Sequence, residues 1–96
     1  IYRWMASALD RTFQTAVDAI RNAPTDLATP SQTTQLQFYA SYKQATKHDA
    51  PTTSPAWFRF TDRAKWDAWD ALRGTTQDQA KTMYVQLTNT HLKRSS

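Results

Sequence analysis

Apolar side chains recur at helical spacing along this chain of 96 residues, in segments bounded by proline or glycine. The first segment predicts a helix over residues 9–22, which ends before Pro24. One face of this helix carries its apolar side chains, namely Leu9, Phe13, Ala16, Val17 and Ile20. Pro30 and Ser31 suit the start of a second helix, which we expect to run to about Lys47.

The second half of the chain predicts two further helices after a long ordered loop over residues 47–59, which contains Pro51 and Pro55. A third helix is expected near residues 62–73, closed by Gly74 in a position that suits a left-handed backbone. Residues 76–79 have the form of a capping box, so a fourth helix begins there. Its predicted apolar face consists of Ala80, Met83, Tyr84, Leu87 and His91. Strand signals are absent, and the predicted fold class is therefore an all-α four-helix bundle.

The length predicts one domain, which we place at residues 9–92. Residues 1–8 are expected to be an N-terminal extension or a cloning remnant, with Met5 as an alternative first residue. Residues 93–96 are expected to be a C-terminal tail, and residues 23–29 a loop.

Composition excludes several kinds of site. The chain has no cysteine, which excludes disulfides, thiolate metal sites and cysteine nucleophiles. Its single glycine excludes the glycine-rich loops that bind phosphate. His48 and His91 lie in different predicted elements and outside any metal-ligand spacing. We therefore expect no enzyme activity, no metal site and no cofactor.

The formal net charge of +4 comes from residues 31–96, because the first 30 residues are neutral. This excess is compatible with nucleic acid, a phosphorylated metabolite, an anionic membrane or simply a solvated surface. Three carboxylates in the predicted third helix, those of Asp62, Asp67 and Asp70, lie among arginines and lysines, as in a surface with salt bridges.

Two clusters combine basic and aromatic residues, which is what a nucleotide requires. Tyr39, Tyr42 and Lys43 stand at i, i+3 and i+4 and project from one side of the second helix. The second cluster surrounds Lys65 and contains Trp66 and Trp69. Lysine and phenol groups donate hydrogen bonds to phosphate, and purines stack on aromatic rings. For the two tryptophans, packing in the core is the favoured interpretation.

Two motifs, Tyr42-Lys43-Gln44-Ala45-Thr46 and Ala64-Lys65-Trp66-Asp67-Ala68-Trp69, are followed by Leu72-Arg73-Gly74-Thr75. In sequence, order and separation they resemble the signature segments of the acyl-CoA-binding protein family. The resemblance covers residues 9–92. It implies a four-helix bundle of up-down-down-up topology that binds medium- to long-chain acyl-CoA without catalysis. It also implies a cytoplasmic monomer that buffers and delivers this ligand, meeting acyl-CoA-using enzymes or membranes transiently.

The resemblance also assigns roles to individual residues. Tyr39, Lys43 and Lys65 would surround the 3′-phosphate of CoA, Tyr42 would lie near the adenine, and Arg21 and Tyr84 would face the nucleotide. The acyl groove would be formed by Phe13, Ala16, Val17, Gln35, Leu36, Phe38 and Ala64.

The chain departs from the usual family pattern at four places. Thr61-Asp62-Arg63 replaces a more basic Lys-Gly-Lys, which removes some positive charge near the expected nucleotide. Gln35 stands where a methionine is frequent, which puts an amide beside the expected acyl path. The loop of residues 23–29 is about three residues longer than in compact members. Residues 56–60, Ala56-Trp57-Phe58-Arg59-Phe60, replace a usual Gly-Met/Leu-x-Asp-Phe pattern.

Two other functions remain open from the residues themselves. A small basic module for nucleic acid fits the charge and the interleaved aromatic residues, although no predicted helix carries a dense run of arginine and lysine. A protein-interaction bundle is favoured if Trp4 or Trp57 lies in an exposed apolar patch. If the chain binds acyl-CoA, as the resemblance implies, we expect no nucleic-acid partner.

Overall fold

The computed structural model describes residues 7–23 and 29–95, with side chains described as far as residue 92. Within these residues the chain forms four helices and no strand. They are α1 (Ala8–Arg21), α2 (Gln32–Lys47), α3 (Phe60–Asp70) and α4 (Gln77–Ser95). Residues 1–6 of the predicted extension, which include Trp4, most of the predicted 23–29 loop and the last residue lie outside the described residues. Ser7 and Ala8, the last two residues of the predicted extension, belong instead to the cap and first turn of α1.

Three of the helices begin at the caps that the sequence predicts or allows. The hydroxyl of Ser7 accepts from the Asp10 amide at the start of α1, and Ser31 does the same for Thr34 in α2. Before α4, Thr76 and Gln79 exchange backbone and side-chain hydrogen bonds of 3.1 Å, which confirms the predicted capping box.

Helices α1 and α4 run parallel. Near their N-termini, the Lys81 ammonium donates to the Asp10 carboxylate at 2.5 Å. One turn further along both helices, the rings of Phe13 and Tyr84 meet edge to face, with centroids 5.3 Å apart. The contacts therefore advance in the same direction along the two helices.

Helix α2 runs antiparallel to α4. The Gln77 amide at the start of α4 donates to the carbonyl of Ala45, near the end of α2. At the opposite ends, the ring of Phe38 in α2 lies 6.2 Å from that of His91 in α4.

Helix α3 runs parallel to α2, since the contact between Tyr39 and Lys65 is followed one turn later by that between Lys43 and Trp69. The four directions together give the up-down-down-up bundle that was predicted.

The core lies where α1, α2 and α4 meet. Its buried side chains are Phe13, Ala16, Val17, Ala45, Ala80 and Tyr84, with Ile20, Phe38 and Val85 packed around them. The alanines allow the helices to approach closely, and the two large rings fill the space between them. Burying a large apolar side chain of this kind contributes about 1.5–3 kcal/mol.

Helix α4 buries a face that differs in part from the predicted one. Ala80, Tyr84 and Thr88 are buried, whereas Met83 and Leu87 are half-buried. Thr88 is accommodated in the core because its hydroxyl donates to the Tyr84 carbonyl at 3.0 Å, which leaves its methyl group for packing.

Helix α3 starts earlier and ends earlier than predicted. It begins at Phe60 without any side-chain cap, and its regular turns end at Asp70. Residues 71–74 then form tighter turns, in which the Leu72 amide donates to Trp69 and the Arg73 amide to Asp70. Gly74 has φ +87°, so its predicted left-handed conformation is confirmed.

A buried polar cluster joins α2 to the turn before α4. The fully buried Gln44 donates from Nε2 to the Asp49 carboxylate and to the Thr75 carbonyl, both at 2.9 Å. The same Asp49 oxygen accepts from the Gly74 amide at 2.9 Å. This amide, followed by the Gln44 side chain, holds the pKa of Asp49 below its usual value.

We predict that Asp49→Asn is less stable than the wild type at neutral pH, and that the difference disappears in acid. A lowered folded-state pKa adds stability above the unfolded-state pKa, and this is lost as the pH falls through the folded-state value. Denaturant unfolding of both proteins from about pH 7 to about pH 2 measures the difference in unfolding free energy. Asp62→Asn, which removes one partner of an exposed ion pair, is the control and should change stability less. A constant difference at all pH values would contradict the prediction.

Candidate functional site

Two lysines converge on one tyrosine ring at the interface of α2 and α3. The Lys43 ammonium lies 5.7 Å from the centroid of the Tyr39 ring, one turn away on the same helix. The Lys65 ammonium approaches that ring from α3, at 5.4 Å. The parallel alignment of α2 and α3 thus brings together three residues that the resemblance assigned to the 3′-phosphate.

Neither ammonium forms an ion pair with any carboxylate among the described residues. Lys43 also lies 5.7 Å from the centroid of the Trp69 ring, so aromatic faces rather than acids surround it. Both ammonium groups therefore have no counter-charge among the described residues, and a bound anion would supply one. The Tyr39 hydroxyl adds a neutral donor to the same place.

A groove between α2 and α3 begins at this cluster. Its volume is about 370 Å³. The side chains that line it are Gln32, Gln35, Leu36, Tyr39, Phe60, Thr61, Ala64 and Lys65. They run from the first turns of both helices to Tyr39 and Lys65, a distance of about 10 Å along a helix. One end of the groove is therefore cationic, while the other, between Gln32 and Phe60, carries no charged side chain.

The predicted acyl residues fall into two groups. Gln35, Leu36 and Ala64 line this groove. Phe13, Ala16, Val17 and Phe38 lie instead in and around the core between α1, α2 and α4, and the structure does not bring them to the groove.

Phe60 is a groove residue that the sequence analysis missed. It precedes Ala64 by four positions, so helical spacing alone places both on one face. This spacing was not recognised, because the third helix was expected to begin only at residue 62.

Gln35, the amide at the expected acyl path, is held by the chain that precedes α2. Its Nε2 donates to the Pro30 carbonyl at 2.8 Å. The side-chain amide of Gln35 thus has a hydrogen-bond acceptor within the protein, while the side chain lines the groove.

Tyr42 and Tyr84 occupy the other side of α2. The Tyr42 ring stacks on Phe13, with centroids 6.1 Å apart, and it keeps 37% of its surface exposed. Tyr84 is buried against Phe13, Phe38 and Tyr42. Sequence spacing placed Tyr42 with Tyr39 and Lys43 on one side, but the structure turns it toward α1 and α4.

Burial raises the pKa of Tyr84, and the neighbouring Tyr42 phenol raises it further. The positive charge of Arg21 opposes both effects. Arg21, which is exposed in the last turn of α1, is therefore near enough for its field to reach this aromatic cluster. The six predicted nucleotide residues thus form two groups beside α2. One lies on the side of α3 and consists of Tyr39, Lys43 and Lys65; the other lies on the side of α1 and α4 and consists of Arg21, Tyr42 and Tyr84.

Both tryptophans of α3 are half-buried and lie outside the core, so the expected packing in the core is not observed; they hold the preceding loop instead. The indole of Trp66 donates to the Pro51 carbonyl at 2.9 Å, and that of Trp69 to the His48 carbonyl at 2.7 Å. Arg73 adds a hydrogen bond of 2.8 Å to the Ala50 carbonyl. These donors fix the loop against the helix that carries Lys65.

The three carboxylates of α3 form surface ion pairs, as predicted. Asp62 pairs with Arg59, Asp67 with Arg63 and Asp70 with Arg73, at 2.6–3.1 Å. Across residues 7–23 and 29–95, no group of three acidic or histidine side chains is placed to hold a metal ion. Nor is any helix in these residues long and apolar enough to span a bilayer.

The chain is similar to known proteins in both sequence and fold. A family model described as acyl-CoA-binding protein matches residues 10–88. The chain belongs to the acyl-CoA-binding protein family. Among curated relatives, acyl-CoA-binding protein homolog 3 of Caenorhabditis elegans is 37% identical over 83 residues, which are 85% of this chain and 72% of that protein. The acyl-CoA-binding protein of Saccharomyces cerevisiae is 37% identical over 79 residues, with 82% and 87% covered.

Solved structures of the acyl-CoA-binding protein family share this fold. The crystal structure of the protein from Moniliophthora perniciosa has a TM-score of 0.83 and 36% identity, and covers 91% of this chain and 83% of that one. Acyl-CoA-binding protein 2 of Oryza sativa has a TM-score of 0.81 and 31% identity, with 91% and 93% covered.

Some relatives are much longer than this chain. It covers 28% of acyl-CoA-binding domain-containing protein 6 homolog of Dictyostelium discoideum, at 33% identity. It covers 20% of enoyl-CoA delta isomerase 2 of Rattus norvegicus, at 35% identity. In those proteins the matching unit is one part of a longer chain.

Proposed function

We propose that this chain binds medium- to long-chain acyl-CoA esters without catalysing a reaction on them. The single observation that carries the proposal is the convergence of Lys43 and Lys65 on Tyr39 at one end of a groove. Membership of the acyl-CoA-binding protein family supports acyl-CoA as the ligand. Acyl-CoA needs both features, because it joins a phosphorylated nucleotide to an apolar chain.

In this proposal the 3′-phosphate of CoA lies between the two ammonium groups and accepts a hydrogen bond from the Tyr39 hydroxyl. Charge-assisted hydrogen bonds of this kind are stronger than neutral ones. The adenine lies near Tyr42, whose ring is packed on Phe13 yet partly open to solvent. Stacking of a base on such a ring contributes about 1–3 kcal/mol. Arg21 and Tyr84 complete the nucleotide end from α1 and α4.

The acyl chain lies in the groove between α2 and α3, against Leu36, Ala64 and Gln35. Each buried methylene contributes about 0.8 kcal/mol, so about ten of them contribute about 8 kcal/mol before ordering costs. With the phosphate contacts this approaches nanomolar affinity, about −12 kcal/mol. The proposed acyl contacts of Phe13, Ala16, Val17 and Phe38 rest on the family resemblance alone, because these side chains pack in and around the core.

The cellular role that follows is buffering, shielding and delivery of acyl-CoA by a cytoplasmic monomer. Enzymes that use acyl-CoA, and membranes, would be transient partners. No catalytic group is needed for such a role, and His48 and His91 belong to different parts of the described fold.

Binding of nucleic acid is less well supported. Three arginines of residues 59–73 are paired with aspartates, so this region presents neutral ion pairs rather than a basic stripe.

The first prediction about binding concerns ligand choice and is tested by calorimetric titration with palmitoyl-CoA, free CoA and palmitate. We expect palmitoyl-CoA to bind most tightly, free CoA more weakly and palmitate weakest, because only the thioester engages both ends of the site. Palmitate binding as tight as that of palmitoyl-CoA, or no binding of palmitoyl-CoA, would reject the proposed function.

The second prediction concerns the phosphate. Lys65→Ala should weaken binding of palmitoyl-CoA and of free CoA alike, by about tenfold or more, since a charged hydrogen bond contributes about 1.5–3 kcal/mol. Arg11→Ala is the matched control, because it removes one positive charge from an exposed position of α1, opposite the buried face. An equal effect of both variants would mean that only the overall charge of the protein matters.

The third prediction concerns the acyl end. Gln35→Met replaces an amide in the groove by an apolar chain and should tighten palmitoyl-CoA binding about fivefold, or about 1 kcal/mol. Free CoA should bind as before. Gln37→Met makes the same change at an exposed position of α2 outside this groove and should have no effect. Unchanged affinity of Gln35→Met for palmitoyl-CoA would place the acyl chain elsewhere.

A further inference from the structure

Three aromatic side chains stand in solvent at the junction of the long loop and α3. Trp57 is 74% exposed, Phe58 62% and Phe60 74%. We call these three residues the aromatic patch. The rings of Trp57 and Phe58 contact each other edge to face, with centroids 5.8 Å apart. Adjacent exposed rings of this size mark an interaction site rather than ordinary surface.

The backbone that carries the aromatic patch is held in place. The Arg59 amide donates to the Ala56 carbonyl at 3.0 Å and closes a turn around Trp57 and Phe58. The Arg63 guanidinium donates to the Pro55 carbonyl at 3.4 Å. These hydrogen bonds present the rings outward, so ordering them on a partner costs little entropy.

The aromatic patch has no unpaired acidic neighbour in sequence, on a chain that is positively charged as a whole. No acidic residue occurs between Asp49 and Asp62, and Arg59 stands among the three rings. Asp62 is already paired with Arg59, at 3.1 Å. The chain as a whole has a net charge of +4. Exposed aromatic rings on a chain with an excess of positive charge match the interface of a bilayer that contains anionic lipid.

The aromatic patch is continuous with the groove, since Phe60 belongs to both. It lies at the uncharged end, away from Lys65. A surface bound through the patch would therefore face the open end of the groove. The proposed ligand is an amphiphile whose acyl chain resides in bilayers, and this favours a lipid surface over a protein as the occupant.

We propose that the aromatic patch docks this chain on the surface of a lipid bilayer with anionic headgroups. Trp57 and Phe58 insert at the headgroup level, and the open end of the groove then faces the lipid. The docking itself is independent of acyl-CoA. The preference for a lipid over a protein partner, and the use of the docking for direct passage of an acyl chain between bilayer and groove, rest on the proposed function.

The test is cosedimentation of the full chain, without acyl-CoA, with phosphatidylcholine vesicles and with vesicles that also contain phosphatidylserine. We expect binding to the anionic vesicles that weakens with added salt, and weaker binding to the neutral ones. Trp57→Ser and Phe58→Ser should each weaken binding by about tenfold, the minimum expected for loss of one large buried side chain. Trp57→Phe should retain most of the binding.

Met83→Ser is the matched control, because it removes a half-buried apolar side chain of α4 outside the aromatic patch. Brominated lipid should quench tryptophan fluorescence in the wild type and much less in Trp57→Phe. Circular dichroism confirms that each variant folds. Palmitoyl-CoA titration should give unchanged affinity for Trp57→Ser, since this residue does not line the groove.

Vesicle binding that survives both serine substitutions would overturn the proposal, as would a wild type that binds neither vesicle. A concentration-dependent dimer that Trp57→Ser dissociates would make a second copy the occupant instead. Failure of palmitoyl-CoA binding alone would reject the proposed function and leave the docking intact.

Discussion

The position of α3 depends on hydrogen bonds from its own side chains to the loop that precedes it. This helix fully buries none of its side chains, so apolar burial does not fix it as it fixes the other helices. Trp66 and Trp69 instead donate to loop carbonyls, with a further bond from Arg73 in the following turns. A carbonyl left unpaired in such a half-buried place would cost about 1–3 kcal/mol. The loop and the helix therefore form one unit, and the place of Lys65 follows from it.

Helix α2 provides the other half of the site and is fixed by different forces. Its inner face belongs to the core through Ala45, and its C-terminal end is tied to the turn before α4 through the buried Gln44. His48, at φ +67°, ends the helix and offers the carbonyl that Trp69 binds. A non-glycine residue persists in that conformation only where its surroundings hold it. The end of α2 thus determines where α3 lies, and the positions of Lys43 and Lys65 depend on both helices.

Much of the fold could be predicted from the sequence, because the local signals agree with the packing. Proline, serine and threonine caps predicted the starts of α2 and α4, and Gly74 predicted the left-handed residue after α3. The start of α3 could not be predicted, since Arg59 provides no side-chain cap and nothing local separates Phe60 from the loop. The burial of Thr88 also escaped prediction, because it depends on a hydrogen bond along α4 that composition does not reveal.

The candidate site, like the fold, could be predicted from the sequence only in part. Spacing alone gave Tyr39 and Lys43 as neighbours on one helix, but only the parallel arrangement of α2 and α3 brings Lys65 to the same ring. That arrangement involves residues more than twenty positions apart and has no local signature. The two ends of the groove also differ in charge. The cationic Lys65 lies at one end, and the exposed Phe60 lies at the other. An anionic group that enters this groove therefore finds an opposite charge among the lining side chains only at the end formed by Lys65, whereas an apolar group meets uncharged side chains along the rest of the groove as far as Phe60.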